Sequence, residues 1–280
     1  MGENTKIEWA HNTLNFWVGC TPVSAGCDFC YAEKYAKRIG VEWGDKPRYR
    51  TAAATWQQAY KWNSKAQRMR CRYRVFANSL ADFFDNQIDP QWRRDAWKVI
   101  RETAELDWMI LTKRPQNIAK MLPWVDGRWP FDVWPWPNVW LGISAEDAKH
   151  YRQRWPCIAA IPAALRFVSY EPALGDLGPI AVAPNGVLPN LVIIGGESGK
   201  DARDTDIGCL HRALMQCQQR GIAAFVKQLG ARPTLGGIPM TIRDPKGGDM
   251  SEWPRELRVR EMPTSLSPPP AHDKAVAAGR

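Results

Sequence analysis

The sequence predicts an α/β fold built on a parallel sheet, and three observations carry that expectation. Short apolar runs alternate with longer amphipathic stretches along the chain. The apolar runs are continuous, as strands covered on both faces require. Polar and ionisable residues then recur at the C-terminal end of nearly every run, the end at which barrel folds build their sites. A βα repeat of this length gives either a (β/α) barrel or a doubly wound sheet. No GxGxxG follows the first strand, which argues against the dinucleotide-binding form of the latter.

An initial strand over residues 14–18 leads into a loop bearing glycine and proline, and a helix-like run begins at about Phe29. The remaining strands are YRVFAN at 73–78, DWMILT at 107–112, NVWLGIS at 138–144, LRFVSY at 165–170, LVIIGG at 191–196 and AAFVKQ at 223–228. Amphipathic runs between them predict helices over 91–105, 114–122, 146–155 and 206–220. The strands finish in Asn78-Ser79, Thr112-Lys113-Arg114, Ser144 with Glu146, Ser169 with Glu171, Glu197-Ser198 and Lys227-Gln228. Six consecutive cases, several with paired ionisable groups, predict that most of these residues line one pocket.

The loop itself, GCTPVSAGCDFCYAEKYA, carries Cys20, Cys27 and Cys30. Three clustered thiolates suit a metal centre and are one short of a closed site. Structural zinc normally takes four protein ligands, whereas a catalytic metal keeps a position open. Three cysteines on an iron–sulfur cluster likewise leave one iron free, although four is the commoner number. The open valence points to an enzyme. Cys71, Cys157, Cys209 and Cys217 are expected to be inert thiols, and His11, His150, His211 and His272 form no spaced metal signature.

At 280 residues the chain can bury a substantial core in one barrel-sized domain. We place that domain at residues 1–261, with the cysteine loop at 19–31. The segment 262–280, rich in Pro, Ser and Ala, is expected to be disordered. Lys and Arg outnumber Asp and Glu by 38 to 29, a net charge of +9, which favours polyanionic partners, nucleic acid first among them. In the basic stretch 61–74, Arg68, Arg70, Arg72 and Arg74 alternate, and on a strand would present one phosphate-binding face, with a solvated helix end as the alternative. Of fifteen tryptophans, most should pack in the core. Trp129, Trp134, Trp136 and Trp140 sit among prolines in a segment that predicts a rigid loop, with base stacking as its alternative role. No apolar stretch is long enough to span a bilayer, and the cysteine usage fits a reducing cytoplasm.

The cysteine loop resembles the cluster loop of radical S-adenosylmethionine (SAM) enzymes, with a longer first interval than the common pattern. In that superfamily three cysteines hold a 4Fe–4S cluster, and the aromatic residue before the last of them, here Phe29, lies near the adenine. KIEWAHNTLNFWVGC, VFANSLADFFD, LTKRP, NVWLGIS, RFVSYEP, VIIGGESG and FVKQLG, in that order, resemble a phage- and prophage-associated branch without a settled function. The resemblance implies a partial (β/α) barrel of the TIM type with six or seven units. It implies metal ligands Cys20, Cys27 and Cys30, the cofactors 4Fe–4S and S-adenosyl-L-methionine, and an external electron donor.

Charge and shape suggest the cofactor contacts. Lys113 or Arg114 is the candidate partner of the SAM carboxylate, Arg having the planar fork for a two-point contact. Glu171 or Glu197 would meet the ribose or amino group, with Asn78, Ser79 and Ser144 as short polar contacts. A nucleic acid (DNA or RNA), nucleotide or modified base is the expected substrate, with host cytoplasm and a phage-encoded partner if the chain is of phage origin. Two other classes compete: a zinc-stabilised nucleic-acid-binding module, and an iron–sulfur redox sensor or partner subunit that does not cleave SAM.

Overall fold

The computed structural model describes residues 2–123, 134–181 and 183–263; Trp129 and the tail from 264 onward lie outside the described residues. Seven strands form one sheet: β1 Asn12–Leu14, β2 Tyr73–Ala77, β3 Leu106–Thr112, β4 Val139–Ser144, β5 Leu165–Tyr170, β6 Leu191–Gly195 and β7 Ala223–Gln228. They are hydrogen-bonded in sequential order, and every pairing is parallel. Sequential parallel order with crossovers of one hand keeps all connections on one side, so the sheet curls toward a barrel. A doubly wound sheet would reverse its order at a switch point, and this one does not. The fold is a partial (β/α) barrel of the TIM type with seven strands. β1 and β7 are the outer strands of the sheet, and β7 pairs with the antiparallel segment 259–261 through Val226 N–H to Val259 O and Glu261 N–H to Ala224 O. Met262, expected to begin the tail, packs against the barrel interior.

The helices are α1 Tyr31–Arg38, α2 Ala53–Met69, α3 Pro90–Glu102, α4 Ile118–Met121, α5 Ala148–Ala159 and α6 Ile207–Gln219. Asp89, Asp147 and Asp206 cap α3, α5 and α6 by accepting a backbone N–H of the first turn, which satisfies a donor that the helix leaves orphaned. α5 runs past Pro156, where the sequence reading ended it, because Ile158 and Ala159 are buried in the core. The expected helix over 114–122 is a 3-10 turn at Pro115–Asn117 followed by the single turn of α4. The first expected strand is divided: Asn12–Leu14 joins the sheet, while Trp17–Val18 pairs antiparallel with Tyr49–Arg50.

Two apolar layers hold the sheet. Trp9, Phe76, Met109, Trp140, Phe167, Ile193 and Phe225 fill the interior, with the Trp9 ring 4.6 Å from Phe76. Val75, Trp108, Ile110, Leu141, Val168, Ile194 and Val226, of opposite parity, face the helices. The tryptophan load goes largely to that outer layer. Trp97 of α3 lies 4.9 Å from Phe83, 6.0 Å from Trp134 and 5.8 Å from Trp136. Trp136 and Trp140 are buried, which leaves neither face free to stack on a base.

The basic stretch does not form the expected face. α2 occupies its first half, burying Trp56, Ala59, Trp62 and Ala66 at helical spacing, and Arg70 ends it in the left-handed conformation. Arg72 is bound to Asp107 at 2.8 Å and Arg74 to the Trp9 carbonyl at 3.0 Å. Both lie at the N-terminal end of β2, opposite the strand ends where polar residues collect. Among the described residues no helix is long and apolar enough to cross a membrane.

Gly142 of β4 leaves room inside the barrel for Phe167, whose ring would lie 2.3 Å from an added Cβ. Gly142→Ala should therefore cost about 1–3 kcal/mol by overpacking, read as a lower urea midpoint. The same substitution in a Phe167→Leu background should cost less, and an equal cost in both backgrounds would refute the contact.

Candidate active site

The strands open at their C-terminal ends onto a cavity of about 240 Å³. Cys20, Cys27, Phe29 and Cys30 reach it from the loop after the first strand. Asn78, Ser79, Lys113, Arg114, Ser144, Glu171 and Glu197 reach it from the strand ends, together with Ser169 and Lys227. The structure thus gathers in one place the three cysteines and all the residues named from the sequence as cofactor contacts, while the strand-end Glu146 lies outside the lining. The reason is parity. Asn78 follows Phe76 by two residues, Ser144 follows Gly142, Ser169 follows Phe167 and Lys227 follows Phe225, so each continues its strand's interior row past the apolar filling.

Buried charge anchors the cysteine loop. Arg114, 7% exposed, has one amino group 3.2 Å from Asp82 and 3.5 Å from Cys20 Sγ, and donates with the other to the Thr21 carbonyl at 2.6 Å. Asp82 also accepts from the Thr112 hydroxyl at 2.7 Å and the Lys113 N–H at 3.0 Å. Arg48 binds Asp85 and Thr21, both at 2.7 Å, and packs under Gly19, whose positive φ of 112° and close neighbour disfavour a side chain there. At the loop's middle, Ser24 donates to the fully buried Glu146 at 2.6 Å, and Arg154 meets the other oxygen at 2.8 Å. A Cβ on Gly26 would sit 2.4 Å from that carboxylate. Burial alone would raise the Glu146 pKa, but Lys113, Arg154 and the Ser24 hydrogen bond outweigh it and hold the carboxyl below its ordinary value.

A second arginine closes the far side. Arg203 makes a fork to Glu197 at 2.8 and 2.9 Å, reaches Asp28 at 3.1 Å and the Ala25 carbonyl at 2.9 Å, and lies over the Phe29 ring, 5.0 Å from its centroid. Arg114 and Glu197, expected to touch a cofactor directly, therefore spend their charges on holding the loop. Lys113 is left as the candidate cation and Glu171 as the candidate carboxylate. Glu171 is paired with Lys227 at 2.8 Å. Burial would lower the Lys227 ammonium, yet the carboxylate outweighs it and holds the pKa above its usual value.

Asn78, at φ 58°, accepts the Phe16 N–H at 2.8 Å. Its buried Nδ2 has no partner among the described residues, which leaves a donor for a ligand in the cavity.

Three free thiols on one cavity are a suitable donor set for an iron–sulfur cluster. They are not converged on a common point in this structure: among the described residues no group of three or more His, Cys, Asp or Glu side chains could hold a metal ion. Cys20 is turned toward Thr21 and Arg114, and burial, followed by the Asp82 charge, pushes its pKa up to about 11 against the pull of Arg114. The other four cysteines lie outside the cavity lining, and Cys71 and Cys217 are buried.

Sequence reading missed Asp82, Arg203 and Ser24, and it noted Glu146 only as a strand-end charge. Asp82 could have been found as the acidic residue just past a strand end in NSLAD. Arg203, in GKDARD, carries no periodic signal. Arg203→Met should speed amide exchange of residues 24–30 by about tenfold, the equivalent of ~1.5 kcal/mol for a lost charge-assisted hydrogen bond, with strand protection unchanged. Unaltered exchange in that segment would show that the clamp does not hold the loop.

No curated protein matches the sequence. Among solved structures, a mutant spore photoproduct lyase with bound AdoMet and dinucleoside spore photoproduct is similar, at 15% identity and a TM-score of 0.42. The likeness covers 61% of this chain and 48% of that one, about half of that protein's length. The model of a family described as a protein of unknown function (DUF5131) matches residues 4–256, and the chain belongs to that family.

Proposed function

We propose that this protein is a radical SAM enzyme that carries a 4Fe–4S cluster on Cys20, Cys27 and Cys30 and acts on a nucleic acid, a nucleotide or a modified base. One observation carries the reading. Three cysteines on one anchored loop share a single cavity with the polar strand ends at the C-terminal mouth of a parallel barrel. The resemblance of the loop to the superfamily's cluster loop, Phe29 included, supports it.

When bound, the cluster and the sulfonium cofactor supply one-electron cleavage, fed by an external donor, and a radical able to take hydrogen from a substrate. The chain's own groups bind, orient and exclude water. Lys113 is the cation for the cofactor's carboxylate. Glu171, oriented by Lys227, can accept from its amino group or ribose. Asn78 Nδ2 supplies a donor that has no other partner among the described residues. Phe29, backed by Arg203, offers a ring edge at the cavity for the adenine. Ser144 and Ser169, both buried, add hydroxyls on the interior wall. Beneath them the aromatic filling around Trp9 and Phe167 closes the barrel, which keeps a reactive intermediate from water.

The test is anaerobic reconstitution with iron and sulfide, reduction in the presence of SAM, and chromatography for 5′-deoxyadenosine. The wild type should turn brown and release 5′-deoxyadenosine, and Cys27→Ala should release none. A brown protein that releases none, with oligonucleotides or nucleotides present, would replace this reading with a redox sensor or partner subunit. A colourless protein that takes up zinc would sink it.

A further inference from the structure

We propose that a basic groove on the flank of the barrel mouth binds the phosphate backbone of a nucleic-acid strand whose reacting unit enters the cavity. The proposal rests on the reading above and assigns the place of that substrate. The groove runs beside the turn after β3 and the first half of α5 and adjoins the mouth cavity. Its basic side chains are Lys113 and Lys149, together with the carboxylate-paired Arg114 and Arg154 and the imidazole of His150; no carboxylate lies in its lining, and it shares Val23, Lys113 and Arg114 with the cavity. The two spaces therefore meet at Lys113, with Arg114 already bound to Asp82 beside it.

The neighbouring acids pair with the buried arginines and leave Lys113 and Lys149 as the groove's cations. Asp82 is 6% exposed and bound to Arg114, and Glu146 is fully buried and bound to Arg154 and Ser24. Asp147 is held by His150, 2.9 Å away. Among the described residues Lys113 and Lys149 stand in no ion pair within 4 Å, and Lys149 is exposed. Exposed Asn86, Gln116 and Gln153 add amide groups.

Ammonium and amide donors without a competing carboxylate select an anion, and lysine meets phosphate as a point charge. A groove that adjoins the cavity, on a chain of net charge +9, fits several linked phosphates better than one. A strand threaded through it would place a base or sugar at the mouth, with its flanking phosphates on Lys149 and Lys113.

Full-length reconstituted protein would be titrated against a fluorescein-labelled single-stranded oligonucleotide, the matching duplex and inorganic pyrophosphate as competitor. Lys149→Glu would be compared with Lys98→Glu. Lys98 is exposed on α3 and 73% open at its side chain, so the two variants alter net charge equally. An acidic residue in the first turn of α5 suits the helix dipole, so Lys149→Glu should fold. Lys149→Glu should weaken oligonucleotide binding by about tenfold and lower the slope of log K against log salt by about one. Lys98→Glu should change binding less than about twofold, as an exposed charge away from the contact.

Equal loss in both variants, no loss in Lys149→Glu, or binding of pyrophosphate alone would overturn the groove. Release of 5′-deoxyadenosine, measured in the same samples without nucleic acid, keeps the two ideas apart. Its presence alongside any of those results would remove the groove and leave the radical chemistry standing.

Discussion

A strand buried on both faces turns successive side chains in opposite directions, and in this barrel that alternation fixes what each position can be. The interior row is apolar while it lies within the barrel and must become polar where it emerges at the mouth. Phe225 is followed by Lys227, Phe76 by Asn78, and Phe167 by Ser169 and then Glu171. The outward row, from Val75 to Val226, stays apolar because helices cover it. Every candidate contact inside the cavity depends on this register. A slip by one residue would bury Lys227 under α6 and put Val226 at the mouth.

The cysteine loop has no such register, since it belongs to no strand, and charge does for it what pairing does for the sheet. Arg114, Arg48, Arg154 and Arg203 each bind a carboxylate and also a group on or bound to the loop. Burying these ions costs desolvation, and removing one member strands the other, typically at about 3–5 kcal/mol for a fully buried pair. The arrangement thus trades net stability for position. It sets the loop against the ends of β3, β4 and β6, so the thiols face the same space as Lys113, Ser144 and Glu171.

Much of this was legible in the sequence, and the limits have physical causes. β5 and β7 match the expected spans end for end because continuous apolar runs have one interpretation at that length. The site residues were legible for the same reason, as the polar terminus of each run. α2 was missed because its buried face is Trp56, Ala59, Trp62 and Ala66, two tryptophans and two small alanines among polar residues, which dilutes a helical period. The alternating arginines after it suggested a strand face, yet Arg70 is the left-handed end of the helix. Arg72 and Arg74 find acceptors only once Asp107 and Trp9 are folded beside them. Arg203 and Glu146 were illegible as anchors, because the loop groups they hold, Ala25 and Asp28 for Arg203 and Ser24 for Glu146, lie more than a hundred residues away and no local pattern announces such a contact.

Lys113 sits where these constraints meet. Its backbone N–H is fixed by Asp82, which also holds Arg114, and its charge helps to hold the Glu146 carboxyl below its ordinary value. The residue is therefore placed by the same carboxylates that anchor the cysteine loop at Thr21 and Ser24. A shift of the loop that alters Asp82 or Glu146 must alter Lys113, and through it both the cavity and the basic groove, because each is lined by this one side chain. Occupancy of the two spaces is then coupled by electrostatics alone. An anion in either one lowers the field felt in the other, while neutralising Lys113 from one side leaves Lys149 as the exposed cation on the other.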